Sequence, residues 1–362
     1  KKNMKRICIK FILAALIATG AAFSFAQSQE MQVRCIAFYN LENLFDTIHD
    51  EGKNDYEYLP DGGMKWTSFK YEQKLEKMAY AISQLGTDED PRGAACVGVS
   101  EVENIGCLYD LCRVLKEKHN RHYEPILLEG PDRRGVDVGF LYNPAMFKPV
   151  STKGYELKAH YADGGVVKSR LQLWISGYIL DDDHKIVRDK IHISVNHWPS
   201  RYGGEESSRA TRDTAAMLCK QVCDSIYLKE PRAKIVVMGD LNDDPFNHSC
   251  AVVMGAKKTR EEVAEQGFFN TMWQKLDRGI GSLSYQGSWN LFDQIFISEP
   301  LMNATLEEGK WVYWKSQIFN KPFLTVQEGK DKGTPLRTVK SGVWQNGYAD
   351  HYPTMIYLIK SK

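Results

Sequence analysis

Residues 236–245, VVMGDLNDDP, decide the fold and also raise its chemical question. The apolar run Val236–Met238 is typical of a buried strand, and after Gly239 it gives way to three aspartates and one asparagine. Carboxylates this close together repel one another, and burying them is costly unless a positive charge lies among them. Asp, Asn and Pro are also common turn residues, so a solvated turn is the simplest alternative. The rest of the chain decides between a site and a turn.

The composition is typical of a soluble globular protein with nearly balanced charge. The 362 residues are 43% hydrophobic and 26% charged, and the formal net charge is +1. A chain of this length and composition can bury a large core. The charge balance excludes a strong global basic field of the kind that favours nucleic acid. It does not exclude a nucleic-acid substrate, because a bound metal ion can supply positive charge locally.

The N-terminus predicts an export signal. Four of the first six residues are basic, residues 11–23 form the apolar stretch FILAALIATGAAF, and Ser24 and Ala26 offer small side chains for cleavage. The apolar stretch is short for a membrane anchor, which is the alternative. We therefore expect a signal peptide at residues 1–26 and a mature chain that begins near Gln27. The expected location is secreted or periplasmic, with no transmembrane segment after signal removal.

Strand and helix patterns alternate along the rest of the chain. No linker or low-complexity segment separates them, so we expect one mixed α/β domain over residues 31–360. Residues 49–65 and 305–347 are expected to be long loops. Apolar runs predict strands at 33–40, 95–101, 136–143, 171–180, 190–198, 234–240, 292–298 and 354–360. Amphipathic patterns predict helices at 68–85, 108–120 and 207–229.

Polar side chains stand at the ends of several predicted strands. In α/β proteins such positions carry chemistry, because the fold holds them rigidly while they face a cleft. Each residue alone has a structural explanation, such as a turn, a cap or a paired histidine. Together they combine hard oxygen ligands, which suit Mg²⁺, Mn²⁺ or Ca²⁺, with imidazoles that suit proton transfer. The set is Asn40, Glu101, His197, Asp240, Asn242, Asp293, Asp350 and His351.

These segments resemble the endonuclease/exonuclease/phosphatase superfamily, in particular the deoxyribonuclease I-like proteins of its secreted bacterial branch. The resemblance spans residues 38–353. It implies an α/β fold that is a four-layer sandwich: two mixed β-sheets face each other, helices lie outside, and the site lies at one rim of the sheets. The segments that carry it are FYNLENLFD (38–46), VGVSEVEN (97–104), RGVDVGFLYNP (134–144), NHWPSR (196–201), GDLNDDP (239–245), FDQIFIS (292–298) and ADHYP (349–353).

The resemblance implies a metal-dependent hydrolase of phosphate esters. Glu101 would be the principal ligand of the divalent cation, helped by Asn40 and Asp350. Family members commonly use Mg²⁺, and Mn²⁺ and Ca²⁺ are the alternatives. The cation would neutralise phosphate charge and stabilise the developing oxyanion.

The resemblance also implies catalytic roles. Asp240 would orient and deprotonate the attacking water, and Asn242 would hold the scissile phosphate. His351, oriented by Asp293, would hydrogen-bond a phosphoryl oxygen. His197 would be the second imidazole and would protonate the leaving oxygen.

Weaker predictions complete the site. Asp137 is expected to orient His197. Asp243 and Asp244 are expected to form a solvated turn before Pro245. Three arginines are candidate phosphate contacts, although exposed arginines are common: Arg134, Arg170 and Arg201.

Three functions stay open at this point. The leading one is an extracytoplasmic nuclease or phosphodiesterase acting on DNA or RNA. The alternatives are a sphingomyelinase-like or inositol-phosphate phosphodiesterase or phosphatase, and a binding module that lost catalysis. The last is disfavoured because every expected catalytic position is filled. Four late aromatic residues could stack bases, enter a lipid interface or pack in the core: Trp311, Tyr313, Trp314 and Trp344.

Overall fold

Two large β-sheets lie face to face in the computed structural model, which describes residues 30–161 and 163–362. The predicted signal peptide therefore lies outside the described residues. The strands of the two sheets are, in chain order, β1 (Met31–Leu44), β2 (Cys96–Val102), β3 (Glu124–Leu127), β4 (Asp137–Tyr142), β5 (Phe147–Tyr155), β6 (Gln172–Leu180), β7 (Ile186–His197), β8 (Lys234–Asp240), β9 (Ala256–Lys257), β10 (Phe268–Asn270), β11 (Asp293–Ser298), β12 (Val312–Ile318) and β13 (Thr354–Ser361).

Both sheets are mixed. The first has the order β12-β13-β1-β2-β4-β3, and the second has the order β5-β6-β7-β8-β11-β10-β9. In the first sheet β1 runs parallel to β2 and antiparallel to β13. In the second sheet β8 runs parallel to β7 and antiparallel to β11. All eight predicted strands are present.

Helices cover the outer faces of both sheets. α1 and α2 pack against each other and against the first sheet, and α3 packs on the second. The predicted four-layer sandwich is therefore confirmed, as are the three predicted helices. Among residues 30–161 and 163–362, no helix is both long and apolar enough to cross a bilayer. The helices are α1 (Ser68–Gln84), α2 (Ile105–His119), α3 (Glu205–Tyr227), α4 (Trp273–Leu276) and α5 (Glu299–Met302).

The alternation of side chains along β8 positions the chemistry. Val236 and Met238 lie in the core between the sheets, while Ile235 and Val237 lie in the cluster beneath α3. Burying each aliphatic side chain contributes roughly 1.5–3 kcal/mol, which fixes the register. Because successive side chains point to opposite faces, Asp240 continues the inner row and projects between the sheets at their rim.

Gly239 is required by the close approach of β7 to β8. A Cβ atom at this position would lie 2.2 Å from the Asn196 carbonyl oxygen, which no real side chain tolerates. The glycine in the GDLN segment therefore allows the strand that carries Asp240 to sit against the strand that carries His197.

The two predicted loops have different outcomes. Residues 49–65 are irregular apart from one short 3₁₀ turn, as expected. The prediction of a loop at 305–347 is wrong in part, because β12 forms an edge strand there and pairs with β13. The residues of β12 are largely polar and unevenly buried, so its sequence lacks the alternation expected of a strand. Trp311 and Tyr313 are buried in the core. Of the three predicted alternatives, base stacking, lipid insertion and core packing, the structure therefore supports core packing for these two residues.

Candidate active site

Three adjacent strands of the second sheet place His197, Asp240 and Asp293 side by side. His197 is the strand partner of Asp240, and Asp293 is the partner of Asp240 on its other side. All three side chains are buried. Strand register alone thus brings together one imidazole and two carboxylates that lie 43 and 53 residues apart in sequence.

The first sheet contributes Asn40 and Glu101 to the same rim. The Asn40 Nδ2 group lies 3.3 Å from Glu101 Oε1 and 3.0 Å from Asp240 Oδ2, so one amide joins the two sheets. The register between β2 and β4 shifts at Ser100 and Val102, and Glu101 between them has φ of 59°. A bulge redirects a side chain, and a left-handed glutamate is strained. Such strain typically marks functional sites.

The amide orientation bears on the predicted ligand role of Asn40. Its Oδ1 atom accepts a hydrogen bond from the Glu42 amide at 2.9 Å, so the oxygen faces backbone rather than the acidic cluster. The structure thus shows Asn40 as a donor to two carboxylates, and its ligand role stays a prediction that requires the amide to rotate.

His351 is paired with a buried carboxylate. Its Nδ1 atom lies 2.6 Å from Asp293 Oδ2, and Ser282 donates a 2.5 Å hydrogen bond to the same oxygen. Burial opposes protonation, but the carboxylates of Asp293 and Asp350 outweigh it and raise the pKa of His351 well above its ordinary value. This is the predicted pairing of His351 with Asp293.

His197 has the opposite preference. Burial, followed by repulsion from Arg170, lowers its pKa well below the ordinary value. Among the described residues its Nδ1 atom has no hydrogen-bond partner. The two imidazoles of the site therefore favour different charge states.

Asp240 lies between the two imidazoles. Its Oδ2 atom is 3.7 Å from His197 Nε2 and 4.0 Å from His351 Nε2. Its Oδ1 atom accepts the Asn242 amide at 3.0 Å. Burial raises the pKa of Asp240 to about 7, against the attraction of His351. Glu101, His197, Asp240, Asn242 and His351 all line one open cavity of about 470 Å³.

A group of charged residues that the sequence did not reveal surrounds Asp350 and Glu42. The Glu42 carboxylate accepts the Thr338 amide at 2.5 Å and pairs with Arg337 Nε at 3.3 Å. The same arginine lies 2.9 Å from Asp350 Oδ2. The fully buried Lys74 of α1 donates to the Thr338 hydroxyl. Asp350, a predicted ligand, is therefore positioned by Arg337.

The donor set fits a divalent cation. Glu101, His197 and Asp240 offer ligand atoms that all lie within 4.8 Å of one another. Carboxylate oxygens are the ligands that Mg²⁺ and Ca²⁺ prefer.

The structure does not bring Asp137 to His197. Asp137 is buried, and its Oδ1 atom accepts the Gly130 amide at 2.9 Å. Burial raises its pKa to about 7. Asp137 therefore anchors the loop before β4, and the orienting role predicted for it has no contact to support it.

The three candidate arginines differ. Arg134 and Arg170 line the cavity together with the predicted catalytic residues. Arg201 does not: its guanidinium lies 2.7 Å from Glu205, 3.3 Å from Asp243 and above the Phe292 ring. Through these contacts Arg201 stabilises the segment after β8.

The expected solvated turn at Asp243 and Asp244 is wrong. Asp243 is 1% exposed, and its Oδ1 atom lies 2.7 Å from the Nε atom of Arg212 in α3. The Arg212 side chain is fully buried. Asp244 is also buried and accepts the Leu291 amide at 2.7 Å. The opening segment therefore divides into Asp240 and Asn242, which face the cavity, and two aspartates that fasten it to α3 and to the segment before β11.

Asp243→Ala is expected to destabilise the fold by about 3–5 kcal/mol, because it leaves the Arg212 guanidinium buried without its carboxylate. Urea unfolding measures this difference. Asp183→Ala, at an exposed turn, is the matched control and should change stability by less than about 0.5 kcal/mol. A small effect at Asp243 would show that Arg212 needs no carboxylate partner.

Comparisons with known proteins agree with this fold. The model of the Endonuclease/Exonuclease/phosphatase family matches residues 35–360. An endonuclease/exonuclease/phosphatase family protein from Bacteroides thetaiotaomicron superposes with a TM-score of 0.51 at 12% identity, over 92% of this chain and 100% of that one. A mannosyl-6-phosphatase from the same species has a TM-score of 0.51 at 12% identity, over 90% of this chain and 99% of that one.

A third similar structure is truncated TDP2 from Caenorhabditis elegans, with a TM-score of 0.50 at 14% identity, over 90% of this chain and 97% of that one. At such identities the likeness concerns the fold alone. No curated protein is significantly similar in sequence. The family model covers nearly all of the described residues. The chain thus belongs to the endonuclease/exonuclease/phosphatase family.

Proposed function

We propose that the protein is a divalent-metal-dependent phosphodiesterase that acts outside the cytoplasm, with nucleic acid as the leading substrate class. One observation carries the proposal: His197, His351 and Asp240 border one cavity together with Glu101. This arrangement supplies a base, a proton donor and anion stabilisation around a single phosphate.

Each residue of the site would have its own role in the reaction. Asp240 would orient and deprotonate the attacking water, because its carboxylate lies between both imidazoles. His351, held protonated by Asp293, would donate a hydrogen bond to a phosphoryl oxygen. Asn242, whose amide also contacts the Trp198 carbonyl at 2.9 Å, would position the phosphate.

His197 would protonate the leaving oxygen, as the family resemblance implies. Its Nε2 atom lies 3.9 Å from Glu101 Oε1 and 3.7 Å from Asp240 Oδ2, at the cavity that would hold the phosphate. Glu101 and Asp350 would hold the cation, which when bound would neutralise phosphate charge as a Lewis acid.

A hydrolysis panel tests the proposal. Plasmid DNA, RNA, sphingomyelin, inositol phosphates and bis(4-nitrophenyl) phosphate are incubated with the protein in Mg²⁺ or in EDTA. We expect Mg²⁺-dependent cleavage, with DNA or RNA among the best substrates. Cleavage of sphingomyelin or inositol phosphates alone would move the assignment to lipid headgroups. Cleavage of none of them would contradict the enzyme assignment.

The export part of the proposal predicts a mature protein that begins near Gln27. Cleavage follows from the basic start, the short apolar stretch and the small residues at 24 and 26. Intact-mass measurement of the protein from the native envelope or medium checks this. A mass that retains residues 4–26 would indicate an uncleaved membrane anchor instead.

A further inference from the structure

A positively charged wall borders the catalytic cavity. Four cationic side chains line this cavity on two loops that precede β4 and β6, and we call them the cationic wall: Arg133, Arg134, Lys168 and Arg170. Among the described residues that line the cavity, Asp132 is the one carboxylate besides Glu101 and Asp240 of the catalytic cluster. The wall therefore carries more positive than negative charge, although the whole chain is nearly neutral.

Arg170 is built into this wall rather than resting on its surface. It is 8% exposed, its Nη1 atom lies 3.3 Å from Asp132, and its Nη2 atom donates to the Trp198 carbonyl at 3.1 Å. Within the described part of the chain its Nε donor has no partner. Burying a guanidinium with an unpaired donor lowers the stability of the fold, which indicates that Arg170 has a functional role.

Arg170 also lies next to the predicted phosphate position. The Trp198 carbonyl that accepts its hydrogen bond accepts a second one from the Asn242 side chain at 2.9 Å. The buried guanidinium and the amide that would hold the scissile phosphate therefore share one acceptor. An anionic group bound along the wall would be a close neighbour of the scissile phosphate.

The first loop of the wall is fixed in place. Asp132 Oδ1 accepts the Arg134 amide at 2.9 Å, and the carboxylate also pairs with Arg170. Lys53 donates to the Gly130 carbonyl at 3.1 Å and to the Asp132 carbonyl at 3.4 Å. A site whose backbone is already ordered loses less entropy when it binds a ligand.

The outer cations are uncompensated. Lys168 and Arg133 are exposed and form no ion pair with any described residue. Beside them, Tyr161 is 49% exposed and Tyr202 is 91% exposed, and both rings line the same cavity. Exposed rings next to cations suit a ligand that combines a planar base with a phosphate.

We propose that the cationic wall is a subsite for a second phosphate group of the substrate, one that is not cleaved. This inference rests on the proposed function, because it takes the scissile phosphate to lie at the catalytic cluster. Nucleotides and inositol headgroups both carry such a second phosphate, and the two tyrosine rings favour the nucleotide.

Calorimetric binding in EDTA, where no metal-dependent cleavage occurs, tests the subsite. Thymidine 3′,5′-bisphosphate is compared with thymidine 5′-monophosphate, and inositol 1,4-bisphosphate with inositol 1-phosphate. We expect the thymidine bisphosphate to bind about 10- to 100-fold more tightly than the monophosphate, as charge-assisted hydrogen bonds to one phosphate would give. A larger preference in the inositol pair would identify a headgroup as the source of the second phosphate.

Two matched double variants test the cationic wall. One removes two positive charges inside the cavity, and the other removes two positive charges outside it. The double variant Arg134→Gln/Lys168→Gln is expected to lose most of the bisphosphate preference. Arg113→Gln/Lys118→Gln, on exposed positions of α2, removes the same charge elsewhere and should retain it. Both test positions are exposed, so the variants should fold, which circular dichroism checks.

The outcomes separate this inference from the proposed function. Equal binding of bisphosphate and monophosphate, or a preference that survives in Arg134→Gln/Lys168→Gln, would overturn the subsite. If the wild type cleaves no phosphate ester but keeps a preference that the double variant loses, the subsite stands and the enzyme assignment falls. If the wild type cleaves diesters without any preference, the enzyme assignment stands and the subsite falls.

Discussion

Glu101→Ala is expected to remove Mg²⁺-dependent phosphodiester hydrolysis almost entirely. The Glu101 carboxylate is the family-implied metal ligand, and it faces Asn40 and His197 from a strained bulge. The loss should exceed about 100-fold, because even outer-shell partners of a catalytic metal contribute about 10- to 100-fold. Stability should change little, since the side chain projects into the cavity rather than packing in the core.

Two measurements make this result specific. Calorimetric titration with Mg²⁺ or Mn²⁺ should show weakened binding in Glu101→Ala, and the rate should be measured at limiting Mg²⁺. Glu117→Ala, an exposed glutamate on α2, is the control and should retain both properties. Full activity of Glu101→Ala at limiting Mg²⁺ would remove Glu101 from the metal site.

The sequence predicted the rim of the site because strand geometry is local. In β8 the apolar run Ile235–Met238 predicts a buried strand and places Asp240 at its end. His197 stands at the end of β7 in the same way, and Asp293 stands at the start of β11. Once the strands pair in register, His197, Asp240 and Asp293 meet without further information.

The residues that support the site were not predictable in the same way. Lys74 lies in a helical segment with other lysines and glutamates, where it looks like an exposed position. Its burial depends on Thr338, which is 264 residues away. Asp243 looked like part of a turn because its partner Arg212 is on a different element. Pairings of this kind depend on tertiary packing, which no local pattern encodes.

The charge states of the two histidines illustrate the same limit. His197 and His351 each stand in similar segments, NHWP and DHYP, so the sequence treats them alike. In the fold, the Asp293 Oδ2 atom lies 2.6 Å from His351 Nδ1. His197 instead has Arg170 nearby, and its Nδ1 atom has no hydrogen-bond partner among the described residues. Burial and Arg170 lower the pKa of His197, whereas Asp293 and Asp350 raise the pKa of His351 against the effect of burial.

Asp240→Asn and His351→Ala are each expected to lower the turnover rate by about 10²–10⁴-fold, which is the usual contribution of a general acid or base. The asparagine keeps the shape of Asp240 but cannot accept a proton. The alanine removes the cation that Asp293 holds in place. Steady-state rates with one diester substrate at saturating Mg²⁺ measure both losses, and unfolding curves confirm that each variant is folded.

The double variant Asp240→Asn/His351→Ala separates a catalytic unit from two independent groups. Independent groups would multiply their losses, to about 10⁴–10⁸-fold in total. Groups that act on one transition state lose far less than that product, since the first substitution already removes what the second supports. The Asp240 Oδ2 atom lies 4.0 Å from His351 Nε2, with room for a phosphoryl oxygen or water to contact both, so we expect strong non-additivity. Fully multiplicative losses would mean that the two residues do not act on one transition state.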